Sequence, residues 1–73
     1  MNIYCVERTD SVWYDQYKGA VVIAENMERA YQMVKELVDN HGYGPKEFSL
    51  HAEYIGFSTQ TEERFVLTSF KAG

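Results

Sequence analysis

Apolar and polar positions along this chain fall into five stretches, four with the short period of strands and one with the longer period of a helix. Asn2-Ile3-Tyr4-Cys5-Val6-Glu7-Arg8 is rich in β-branched and aromatic side chains and stops at the turn-forming Thr9-Asp10-Ser11. Residues 2–8 therefore read as a strand. From Ser11 to Gly19 no period holds, and Trp13, Tyr14 and Tyr17 crowd together, so this stretch reads as a loop. Ala20-Val21-Val22-Ile23-Ala24 is a continuous apolar run, the mark of a strand with both faces at least partly covered.

Asn26 is a good N-cap, and Glu28 places a carboxylate at the positive end of a helix. Beyond it Ala30, Met33, Val34, Leu37 and Val38 recur at helical spacing, with Glu28, Arg29, Gln32, Lys35, Glu36 and Asp39 on the other side. The spacing predicts a helix over about residues 27–40, ended by Asn40-His41-Gly42 and barred from continuing by Pro45. Residues 48–56 alternate, with Phe48, Leu50, Ala52 and Tyr54 against Ser49, His51 and Glu53. After a polar connector at 58–63, residues 64–71 form a last strand, with Phe65 and Leu67 facing one way and Val66, Thr68 and Phe70 the other.

The order β-β-α-β-β makes residues 1–73 a single small α+β domain, a four-stranded antiparallel sheet with one helix packed on one face. Each flanking pair of strands is expected to be a hairpin. A helix of this length is about 20 Å long and about 10 Å wide, while four strands span roughly 15–20 Å. One helix thus covers part of one sheet face, yet apolar residues lie on both faces of nearly every strand. Tyr4, Val6, Val21, Ile23 and Val66 are assigned to the uncovered face, which either the Trp13-Tyr14-Tyr17 loop covers by folding back or a second copy of the chain shields, the homodimer being the expectation.

Composition narrows the function classes. The chain has 73 residues, 45% of them hydrophobic, which is too apolar for a disordered polypeptide. No apolar run approaches the roughly 18 residues of a membrane span, and no membrane association or leader segment is expected. The formal charge of −4 argues against general nucleic-acid binding, which needs a basic face. One cysteine, Cys5, rules out an internal disulfide and every multi-cysteine zinc pattern.

Candidate chemistry is sparse. His41, His51 and Cys5 have no ligand spacing, so no metal or cofactor is expected, and Cys5 reads as a small apolar strand residue. Glu62-Glu63 reads as a solvating pair, and Glu25 with Arg29 as a weak helical ion pair. Glycines 42, 44 and 56 form no phosphate-binding loop. No nucleophile and base can be assembled by spacing, so the chain is not read as an enzyme. The one segment that suggests recognition is Trp13-Tyr14-Asp15-Gln16-Tyr17, because Trp and Tyr give stiff contact area with a polar tip. Trp13, Tyr14, Asp15 and Tyr17 are the candidate partner-binding residues, with Asp10 shaping the loop.

Val6-Glu7-Arg8-Thr9-Asp10, Tyr14-Asp15-Gln16-Tyr17, Val21-Val22-Ile23-Ala24-Glu25-Asn26 and the closing Leu67-Thr68-Ser69-Phe70-Lys71-Ala72-Gly73 together resemble a group of small proteins of tailed bacteriophages and prophages. The resemblance implies expression in the cytoplasm of a bacterial host and supplies no activity. The expectation is a non-enzymatic phage-type module that occupies a host or phage protein, inhibition of a bacterial defence system being one version. The alternative is an oligomer that sequesters a nucleotide-like ligand, with aromatics on the base and Arg8, Arg64 or Lys71 on the phosphates.

Overall fold

The computed structural model describes residues 1–10, 16–39 and 48–71, with the side chains of Gln16, Phe70 and Lys71 left aside. Four strands, β1 (Asn2–Arg8), β2 (Gln16–Ala24), β3 (Leu50–Phe57) and β4 (Arg64–Lys71), and one helix, α1 (Met27–Asp39), follow in the order β1-β2-α1-β3-β4. The strands form one antiparallel sheet in the spatial order β3-β1-β2-β4. This is the expected α+β architecture with its helix on one face.

Local chemistry accounts for the helix. The Asn26 carboxamide oxygen accepts from the Arg29 N–H at 2.9 Å, and the Asn26 carbonyl accepts from the Ala30 N–H at 3.1 Å. One free N–H of the first turn is thereby satisfied by a side chain. Ala30, Val34 and Val38 are buried and Met33 and Leu37 half-buried, so the apolar stripe read from the spacing is the packed one. α1 lies across β1, β2 and β3, and among the described residues it makes no packing contact with β4.

Three expectations need correction. The segment 11–19 is not all loop, because Gln16–Gly19 already belong to β2 and pair with β4. Tyr17 carries an apolar ring into the edge of the core, which outweighs the irregular pattern around it. The second correction concerns β3 and β4, which form no hairpin and occupy opposite edges of the sheet. Three strand spacings separate them, about 14 Å, and the six residues 58–63 can span about 20 Å, so the polar connector passes below the ends of β1 and β2.

That passage is pinned at two points. The Met1 amine donates to the Ser58 carbonyl at 2.8 Å, and the Ser58 N–H donates to the Met1 carbonyl at 2.8 Å. Farther along, the Glu63 carboxylate accepts from the Glu25 N–H at 3.1 Å and from Arg29 Nη2 at 2.8 Å. Glu63 is thus a clamp rather than a solvating charge, and Arg29 pairs with it instead of Glu25.

The third correction is to the assignment of faces. Tyr4 and Val6 lie under α1 with Ala20, Val22, Ala24 and Ala52, and Val6 is fully buried. They belong to the core and are withdrawn from the proposed dimer surface. The pairing explains why: Tyr4 stands opposite Val22 and Val6 opposite Ala20, so one face of β1 and β2 carries both sets. Alanines on that face let the helix backbone approach the sheet closely.

Candidate functional site

Two places concentrate polar chemistry against a fixed frame. The first is the end of the sheet where β1 runs out. Arg8 continues the covered face of Tyr4 and Val6, and its side chain is only 1% exposed. A buried guanidinium demands partners. Arg8 Nε donates to Asp10 Oδ1 at 3.1 Å, its Nη2 pairs with Asp10 Oδ2, and Nη1 donates to the Tyr17 carbonyl at 3.5 Å. The guanidinium also sits 5.7 Å from the centre of the Phe48 ring, within cation–π range.

Asp10 accepts in addition from the Ser49 N–H at 3.3 Å, and the Thr9 N–H donates to the Ser49 carbonyl at 2.9 Å. The bonds from Arg8 hold the Asp10 carboxyl below its ordinary pKa, with a smaller contribution from the Ser49 N–H. One buried cation thus ties together the residue before segment 11–15, the strand after it and the approach to β3.

The second place is the face of the sheet turned away from α1. Ile3, Cys5 and Glu7 of β1 share it with Gly19, Val21 and Ile23 of β2, their pairing partners. β3 adds His51 and Glu53, and β4 adds Arg64, Leu67 and Ser69. A hollow of about 440 Å³ opens over its centre, lined by Cys5, Glu7, Lys18, Gly19, Val21 and Leu67 among others. Ile3, Cys5 and Val21 are half-buried and Leu67 is 65% exposed, so the floor is apolar and reachable. Ile23 also faces this side but is screened by its neighbours within the chain.

Gly19 shapes the hollow. The pairing of β2 with β4 slips between Tyr17 and Gly19, and a Cβ on Gly19 would lie 2.2 Å from the Val6 carbonyl oxygen. The two backbones approach there more closely than any side chain allows, which is why glycine is required. Cys5, the lone thiol of the chain, donates weakly to Glu7 Oε1 at 3.5 Å. Burial first, then Glu7 and the charges of Glu7 and Glu53, push its pKa up, which makes it a poor nucleophile. Among the described residues no three of His, Cys, Asp and Glu gather closely enough to hold a metal ion, and no helix is long and apolar enough to cross a membrane.

The sequence-predicted residues divide accordingly. Asp10 and Tyr17 are brought to the Arg8 anchor. Trp13, Tyr14 and Asp15 lie outside the described residues. Of the proposed dimer surface, Val21 faces the hollow, Ile23 is screened beside it, and Val66 is 53% exposed at a slip in the β2–β4 pairing. Arg8 as an anchor went unforeseen, although its period-two spacing from Tyr4 and Val6 placed it on their face. No protein-family model matches the chain, and no curated protein or solved structure matches it significantly.

Proposed function

We propose that the chain is a non-enzymatic binding module, of the kind made by phages, that acts by occupying a protein of the host or phage. The observation that supports this reading is the Arg8 anchor. It fixes Asp10 on one side of segment 11–15 and the Tyr17 backbone on the other. Contact residues bind best when their ordering is achieved before the partner arrives. Trp13, Tyr14 and Asp15 have the amphipathic chemistry of interface hot spots, and Asp10 and Tyr17 flank them.

The nucleotide alternative draws on the hollow, whose volume suits a small ligand. Its proposed phosphate ligands are dispersed, however. Arg8 borders the hollow, but its guanidinium is buried against Asp10, and Lys18 shares the hollow with the carboxylate of Glu7. The protein-binding reading is therefore preferred.

The test is capture of partners from the bacterial host by the tagged chain, followed by titration of the captured protein, once purified, against the purified chain. Trp13→Ala and Tyr14→Ala, each checked for folding, are expected to weaken binding by about tenfold or more. Folded variants that keep full affinity would overturn the site. A nucleotide that raises the melting temperature by several degrees would favour the alternative instead.

A further inference from the structure

We propose that the helix-free face of the sheet is an interface between two copies of this chain, packed face to face about a two-fold axis that runs parallel to the strands. The argument begins with charge. On this face Glu7 and Glu53 stand on β1 and β3, while Lys18 and Arg64 stand on β2 and β4. The ion pairs among the described residues are Arg8–Asp10 and Arg29–Glu63, so none of these four charges is neutralised by a salt bridge of its own. One half of the face is acidic, the other basic, and the apolar row of Ile3, Cys5, Val21 and Leu67 runs between and across them.

Such a surface is complementary to itself under one rotation. A two-fold axis along the strands, between β1 and β2, lays β1 over the partner's β2 and β3 over the partner's β4. The register then sets residues that pair within one sheet against each other across the interface. Cys5 faces the partner's Val21, Glu7 comes over the partner's Gly19 beside its Lys18, and Ile3 lies over the partner's Ile23, which its own chain already screens. The hollow at Gly19, which has no side chain to fill it, receives the Glu7 side chain of the other subunit beside the resident Glu7, so the two carboxylates meet across the axis and the Lys18 of each subunit must offset them. Glu53 approaches the partner's Leu67 with the partner's Arg64 on the same strand. The other two-fold arrangement, with the axis across the strands, sets β3 against β3 and brings like charges together, which costs affinity.

Size limits the strength of the contact. Four strands about 4.8 Å apart and about seven residues long present roughly 400 Å² per subunit in projection, about 800 Å² for the pair, which is below standard specific interfaces and in the range of weak, transient ones. Association is accordingly expected in the micromolar range. The proposal stands apart from the segment 11–15 reading, since it uses none of those residues.

Sedimentation equilibrium of the full chain with charge-reversed variants tests it. The wild type is expected to form dimers at tens of micromolar, while Glu7→Lys alone and Lys18→Glu alone each weaken self-association by about tenfold or more. An equimolar mixture of the two variants restores the dimer, because each places its new charge over the opposite charge of the other. Glu36→Lys, on the outer side of α1, changes nothing. A wild type that stays monomeric at hundreds of micromolar overturns the proposal. So does a dimer indifferent to both reversals, as pairing along the β4 edge would give, or a mixture that fails to associate.

Discussion

Both faces of this sheet carry apolar residues, but they are built differently. The covered face is built from Val6, Val22, Ala20, Ala24 and Ala52, and it meets Ala30, Val34 and Val38 of α1. The open face carries Ile3, Cys5, Val21 and Leu67, ringed by Glu7, Glu53, Lys18 and Arg64. Charge separates them better than hydrophobicity. Alanines at three positions of the covered face admit the helix at short distance, and Arg8, a charge of that face, is buried against Asp10, whereas the open face keeps four exposed charges around its apolar row. In a small chain the first face supplies the core, and the second keeps apolar residues within reach of solvent.

The sharpest break in that comparison is at Gly19, where the open face depends on backbone packing. Gly19→Val is expected to cost about 3 kcal/mol or more in urea denaturation, because the new side chain collides with the Val6 carbonyl. Retention of wild-type stability would mean that β1 and β2 are not so closely apposed. The buried charge on the covered face comes next. Asp10→Ala leaves the Arg8 guanidinium without its carboxylate and is expected to lose about 3 kcal/mol by the same measurement.

Truncations of equal size then compare the faces directly. Val34→Ala, in the core, should cost about 2 kcal/mol, and Val21→Ala, on the open face, less than about 1 kcal/mol in dilute protein. Equal losses would erase the distinction. The smallest effect is that of acid. Asp10 and Glu63 have pKa values lowered in the folded chain, by hydrogen bonds from Arg8 and from Arg29 respectively. A lowered folded pKa stabilises above the unfolded value and is lost as pH falls through the folded one. Denaturation midpoints should hold down to about pH 4 and decline below it, less steeply in Glu63→Gln.

Much of the fold could be read along the chain, because the signals were local. The Asn26 cap, the stripe from Ala30 to Val38 and the four strands depend on neighbours a few residues away. What escaped was set by contacts distant in sequence. Tyr4 and Val6 alternate with Ile3 and Cys5 symmetrically, so hydrophobicity alone gave no way to choose the covered side. The cross-strand alanines Ala20, Ala24 and Ala52 carried that information. The separation of β3 from β4 has no signature within either strand, since it follows from α1 returning the chain beside β1. At the candidate site, Asp10 was legible as a turn former, whereas its tie to Arg8 required the burial that only the folded chain shows.

Cys5 offers the most direct probe of the open face, since it is the sole thiol and lies at the centre of the apolar row. Its rate of reaction with a neutral thiol reagent, followed from sub-micromolar to hundreds of micromolar protein, reports whether that surface is occupied. The rate should fall several-fold with rising concentration in the wild type, and in Lys18→Glu only at about tenfold higher protein. A rate independent of concentration in the wild type would contradict the assignment of this face to a second copy of the chain.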